Sequence, residues 1–368
     1  MEYNLYSQDK GKFNDNGIHG YLLIMWLLYS VIAVLLVVAE LMYFKIADKC
    51  NIIDKPNERS SHSTIVLRGG GVIFTLSMMA WAVMMVLQGN NISSYLPFLG
   101  GLVLVAGVSF WDDVHSLPDS LRMVVQIISY LLMFWSMGVM HWNMWWIVPI
   151  ALFFCVGATN IINFMDGING ITEAYALAML IPIALMNSGF KIQDSSVAGF
   201  IEPSYLIVAI VGLLVFSIFN FRPKGKAKCF AGDVGSIGIA FIILFSLGKL
   251  MFATQDVTYI VFFLLYGIDG SMTIFHRIML HENLGQAHRK HAFQLMSNEL
   301  KIGHVTVSLI YMVLQLLVSL GFIYLCPNTI LAHWIYLVVA GFVFAGAYIL
   351  FMMKYYHLHE EYLASLNK

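Results

Sequence analysis

Two adjacent carboxylates close an apolar run in Trp111-Asp112-Asp113-Val114-His115, and Arg122 and Gln126 follow in the next run. Carboxylates this close repel one another and resist desolvation unless a divalent cation or a proton neutralises them. The pair therefore reads as a metal or general-base site, with a solvated helix end as the simpler alternative. A second cluster holds Asn160, Asn163, Asp166 and Asn169, with Gly167 and Gly170 between and after them. Its first three members recur at every third residue, which a helix end places near one face. Its glycines let backbone approach a ligand, and a plain loop turn is the alternative. A third, Cys229-Phe230-Ala231-Gly232-Asp233-Val234-Gly235-Ser236, follows Arg222, Lys224, Lys226 and Lys228. Asp233 sits where a helix start offers backbone donors to phosphate, and it reads as a metal ligand.

Two further stretches are rich in cations. Residues 276–304 carry His276, Arg277, His281, Glu282, His288, Arg289, Lys290 and His291. No cysteine or H-E-x-x-H pattern accompanies the histidines, so zinc is a poor fit and convergence on phosphate oxygens a better one. The stretch Asp54 to His62 includes Arg59, and Arg68 with Gly69, Gly70 and Gly71 opens the next apolar run, an arrangement suited to an anion at a helix start. Asp269, Thr273 and Arg277 form a polar stripe on one helix, either functional or bonded to a neighbouring helix. Carboxylates, amides and cations beside hydrocarbon are the parts of phosphoryl transfer, whose transition state needs charge neutralised and groups aligned.

The elements that must position these residues follow from composition. Of 368 residues 60% are apolar and 11% charged, against about 25% charged in a soluble domain. A soluble globular enzyme is excluded, and a net charge of −1 removes the footprint of a nucleic-acid binder. Apolar runs at 21–44, 71–88, 94–111, 121–138, 144–160, 171–188, 203–219, 235–252, 257–275, 305–325 and 331–353 predict an all-α polytopic membrane protein of eleven spans, or ten if one short run fails to cross. The expected organisation is a polar external segment 1–20, one transmembrane catalytic domain 21–353 and a cytoplasmic tail 354–368. Alternation places 16 of the 20 basic residues on one side, which the positive-inside rule makes cytoplasmic. All the motifs above fall on that face. The four cysteines form no metal spacing or disulfide framework.

The series DKPNERSSH with RGGG, WDDV with Arg122 and Gln126, NIINFMDGING, AGDVGS and ENLGQAHRKHAFQ resembles the polyprenyl-phosphate N-acetylhexosamine-1-phosphate transferases. These are multi-span relatives of the bacterial phospho-MurNAc-pentapeptide transferase. The tail HRKH is closer to the O-antigen-initiating, GlcNAc-type branch. The resemblance implies transfer of a sugar 1-phosphate from a UDP-HexNAc donor to undecaprenyl phosphate in the bilayer of a bacterial inner membrane, with UMP released. It implies Asp112 and Asp113 as the catalytic pair, and Asp233 with Asn163 as ligands of Mg2+, for which Mn2+ can substitute. Asn160, Asp166 and Asn169 fall in the nucleotide pocket, and His288, Arg289, His291, Arg59, His62 and Arg68 contact phosphate or sugar. Asp269 and Arg277 would support them, and a homodimer is common among such enzymes. Direct attack by the lipid phosphate and a two-step route through a phosphorylated Asp both remain open. The competing reading is a transporter or lipid scramblase, suggested by span count and Asp269.

Overall fold

The computed structural model describes residues 15–54, 65–140, 145–190, 197–283 and 288–366. In chain order these form α1 (Asp15–Lys49), β1 (Ile53–Asp54), β2 (Val66–Leu67), α2 (Val72–Leu87), α3 (Leu96–Val114), α4 (Asp119–Met137), α5 (Ile147–Met165), α6 (Ile171–Ser188) and α7 (Pro203–Asn220). There follow α8 (Gly232–Thr254), α9 (Leu264–Met279), α10 (Ala292–Asn298), α11 (His304–Tyr324) and α12 (Ile330–Leu366). Ten described helical segments are long and apolar enough to cross a bilayer, and α2 is equally apolar but only 16 residues long. The chain is thus an all-α multi-pass membrane protein, and the eleven expected runs are all helical.

Local sequence sets the breaks. Proline occupies the first turn of α3 and α7, where its missing N–H costs nothing. Burial then sorts the helices. Most of α6, α7 and α8 is enclosed, whereas α1, α5 and α12 expose most of their apolar surface. Such exposure is stable only against lipid, which is as apolar as the side chains themselves. Burial in hydrocarbon favours paired polar groups, and Gln315 is one such group. Gln315 accepts from Tyr175 Oη (2.7 Å) and Leu265 N–H (3.1 Å) and donates to the Val261 carbonyl (3.0 Å).

At one end of the bundle β1 and β2 pair antiparallel, Ile53 opposite Leu67 and Asp54 opposite Val66. The Phe230 N–H donates to the Leu67 carbonyl, and the Gly70 and Gly71 N–H groups donate to Phe230 and Ala231. A Cβ on Gly71 would lie 2.2 Å from Gly235 Cα, so only glycine lets the start of α2 touch the start of α8. This corrects the expectation of an anion site at the glycine triplet: two of its donors are committed to carbonyls. The stretch expected as a tail from 354 continues α12 without a break to Leu366. Along the groove between the far halves of α2 and α3 run Met79, Val83, Val86, Leu96, Leu99 and Val103, an almost wholly apolar lining.

Candidate active site

Helix ends, rather than helix middles, build the site. The last turn of α3 supplies Asp112 and Asp113, the first turn of α4 Arg122, the end of α5 Asn163 and the start of α8 Asp233. Arg68, directly after β2, reaches across them. Its Nε lies 2.7 Å from Asp113 Oδ1 and its Nη2 3.4 Å from Asp233 Oδ1. Arg122 Nη1 lies 2.5 Å from Asp112 Oδ2 and 3.4 Å from Asp233 Oδ2. Three carboxylates therefore share two guanidiniums, and the cluster is short of positive charge. Burial opposes the charge on Arg68, but Asp113 and Asp233 beside it hold its pKa above the ordinary value.

The adjacent pair divides its work. Asp113 is fully buried, and its two oxygens accept the N–H groups of Asp233 (2.9 Å) and Val234 (3.0 Å). It caps α8 from another helix, satisfying donors that a helix start leaves open. The expectation that those donors receive phosphate is corrected here, because Asp113 already holds two of them. Asp112 accepts from the Leu117 N–H (2.6 Å) and from Arg122.

A cavity of about 250 Å3 opens beside Asp233, with Asp54, Asn163, Asp166, Asn169, Gln294 and His304 in its walls. Asn163 Oδ1 accepts from Ser236 Oγ (2.8 Å), one turn along α8 from Asp233. Asp166 accepts from Thr172 Oγ1 (2.6 Å), and burial pushes it up to about 6 against that bond. Asn169 Nδ2 donates to the carbonyls of Arg222 (2.9 Å) and Pro223 (3.1 Å), so its nitrogen anchors a loop and its Oδ1 is the atom left for a ligand. Asn160 donates back to Val156 in its own helix and is not among the cavity walls. Gly170 has φ +86°, and a Cβ there would overlap the Phe221 ring at 2.0 Å. Its freedom thus serves packing and not, as its sequence suggested, a ligand.

The segment from His288 to Glu299 reaches this cavity through Gln294. Phe293 and Gln294 lie against Gly167, and the His288 ring is 6.3 Å from Phe164, next to Asn163. Burial, then the neighbouring His291, pushes His288 down to about 3, leaving a neutral imidazole. Asp269 holds the segment from beneath, with Oδ1 3.1 Å from His291 Nδ1 and 3.2 Å from the Ala292 N, and Oδ2 accepting from Tyr311 (2.6 Å). These bonds make Asp269 a structural hub and remove the motive for a transport pathway through it. Arg277 pairs with Glu282 (3.1 Å). Arg289 pairs with Glu299 (2.7 Å) and lies outside the cavity walls. Arg59 and His62 lie outside the described residues.

The structure adds Asp54, Ser236, Gln294 and His304 to the cavity surroundings, and gives Arg122 a place at the centre of the carboxylates. Arg122 carried a signal, as the single basic residue of 112–122. Ser236 and Gln294 are ordinary polar residues inside their motifs, and the groups they meet across the site, Asn163 and Gly167, are remote in sequence.

Residues 95–251 match the family model described as Glycosyl transferase family 4. The chain is 24% identical over 264 residues to a probable undecaprenyl-phosphate N-acetylglucosaminyl 1-phosphate transferase of Bacillus subtilis, covering 67% of this chain and 70% of that protein. It is 26% identical to a decaprenyl-phosphate N-acetylglucosaminephosphotransferase of Mycobacterium leprae over 54% of each chain. A phospho-N-acetylmuramoyl-pentapeptide-transferase of Levilactobacillus brevis is 29% identical over 38% of this chain and 46% of its own. The chain thus spans about half the length of the latter two. The match over 95–251 agrees with the resemblance carried by the motifs.

Proposed function

We propose, with the glycosyl transferase family 4 match as premise, that the chain transfers a HexNAc 1-phosphate from a UDP-sugar to undecaprenyl phosphate at the cytoplasmic face of a bacterial inner membrane. One observation carries this reading: Arg68, Asp112, Asp113, Arg122 and Asp233, from four separate stretches of sequence, form one bonded cluster beside a polar cavity. A phosphate oxygen of the lipid attacks the sugar-bearing phosphorus of the donor, the P–O bond of the diphosphate breaks, and UMP leaves with its electrons. The lipid-linked diphospho-sugar then primes a cell-surface polysaccharide, O-antigen being the reading that the HRKH tail supports.

The oxygen donors suit Mg2+. Asp233 makes only long contacts, 3.4 Å, with the two guanidiniums, and Asn163 faces the same cavity. Among the described residues no three acidic, histidine or cysteine side chains form a complete metal cage. Mg2+ requires none, since it keeps several waters and takes one or two carboxylates plus substrate phosphates. When bound it neutralises charge on the donor diphosphate. Mn2+ suits the same donors.

The protein's own groups do the rest. Arg122, held by Asp112, presents its guanidinium to the lipid phosphate, and Asp112 accepts a proton from that phosphate where one is carried. Asp113, with both oxygens committed, fixes the backbone of Asp233 and supports direct attack over a phosphorylated Asp. Asn169 Oδ1 accepts from the uracil N3–H. Purified protein given UDP-GlcNAc or other UDP-HexNAc donors, undecaprenyl phosphate and Mg2+ should release UMP. Folded protein that releases none from any donor overturns the proposal.

A further inference from the structure

The site as described leaves unexplained why α12 is so long. Its 37 residues rise about 55 Å, well beyond the roughly 30 Å of hydrocarbon in a bilayer. The excess stands at the site's end of the bundle and carries Tyr356, His359 and Tyr362, three residues apart and so along one face. That face meets the segment from His288 to Glu299. The Tyr362 ring centroid is 4.1 Å from the Arg289 guanidinium carbon, a cation–π distance. Glu299 Oε1 accepts from both Arg289 Nη2 (2.7 Å) and His359 Nδ1 (3.1 Å), and all three side chains are nearly enclosed. Tyr356 stacks edge-on against His276 at 4.6 Å and lies under Lys290 at 5.9 Å, while Lys290 pairs with Glu282. An arginine buried this far from water is held by its partners, and its neighbours His288 and His291 are held with it.

We propose that the membrane-external end of α12 is a positioning element for the donor site: Tyr362 and, through Glu299, His359 fix Arg289, and thereby set how the rim from His288 to His291 meets the donor sugar. The inference rests on the transferase reading above and deepens it by assigning sugar selectivity to residues of the last helix. His359 and Tyr362 touch no cavity wall, so they act through the segment that they grip. Opening the clasp shifts the rim by a fraction of an ångström to an ångström, enough to alter discrimination among HexNAc donors that differ at one hydroxyl.

The test uses the full chain in detergent or nanodiscs. Tyr362→Ala and His359→Ala should each raise KM for the nucleotide sugar about tenfold, with a smaller change in kcat, and should change the kcat/KM ratio between UDP-GlcNAc and UDP-GalNAc. Inhibition by UMP, which lacks the sugar, should stay at the wild-type level. Tyr362→Phe, which keeps the ring over Arg289, should restore the wild-type KM and ratio. Hydrogen exchange provides a second readout independent of turnover: amides of 288–299 should lose protection in Tyr362→Ala and regain it in Tyr362→Phe. An unchanged donor ratio, or UMP inhibition weakening in step with KM, would overturn the positioning role. Wild-type protein that turns over no donor while the exchange pattern holds would instead strike the transferase reading and leave the clasp standing.

Discussion

Each end of the bundle buries an aspartate beside a cavity, yet the two are resolved differently. At the far end, Asp256 accepts from the Thr258 N–H (2.8 Å) and hydroxyl (2.6 Å), and His333 Nδ1 lies 2.5 Å from its other oxygen. One acid meets one imidazole, and the cavity of about 210 Å3 beside them is lined in part by Phe322, Ile330 and Tyr259. At the site end three carboxylates share two guanidiniums, with Asp166 and Asp54 adding negative charge in the adjoining wall. The far pair fastens the loop before α9 to the start of α12. The site cluster is left with oxygens that ask for a further cation. A carboxylate with its own partners marks a joint, and unbalanced charge beside a cavity marks a place where a ligand completes the balance.

Breaking each side of this contrast should give different results. Asp233→Asn should have the largest effect, a loss of about a thousandfold in UMP release, comparable to removing a main electrostatic contact in a transition state. Membrane insertion and elution on size exclusion should be unchanged. Asp113→Asn should lose about a hundredfold, since Asp233 remains but its backbone is no longer held by a carboxylate. Restoration by excess Mg2+ should be weak. At the far end, His333→Ala should lower stability by about 3 kcal/mol by stranding a buried carboxylate, read as an earlier thermal transition, while kcat at low temperature stays at the wild-type value. The smallest effect concerns pH. The folded protein holds Asp166 up to about 6, above its ordinary value, so the fold binds this proton more tightly than the unfolded chain. Its contribution is present below the ordinary carboxylate range and lost as pH rises through about 6. Asp166→Asn should flatten that part of the stability profile in a thermal series from pH 4 to 8.

Much of this was legible in the sequence because lipid imposes simple rules. Apolar runs of sufficient length had to be helices, and the crowding of basic residues into alternate loops had to mark one face. Among the described residues, Arg68, Asp112, Asp113, Asn163, Asp166 and Asp233 then met at one end of the bundle, while Asn160 and Arg289 did not join the cavity. The division between Asp112 and Asp113 was not legible, since adjacent residues at a helix end point in different directions and only the start of α8 decides which is covered. Gly71 reads as an anion loop until Gly235 is seen against it. Arg289 was expected at the phosphate, and its grip by Glu299 and Tyr362 depends on residues 10 and more positions away. Glu40 is buried in α1 beside Cys229, a partner 189 positions away in the chain.

The brevity of α2 bears on the membrane itself. Sixteen residues rise about 24 Å, several ångströms short of an average hydrocarbon core of about 30 Å. Its site end is pinned to α8 through Gly71 and cannot slide to share the shortfall. With α2 as a span, the surrounding leaflets should dimple toward it at an elastic cost on the order of fractions of a kcal/mol per ångström. A bilayer thinned around α2 is the expected setting, and activity should fall as the protein is moved from short-chain to long-chain phospholipids of the same headgroup.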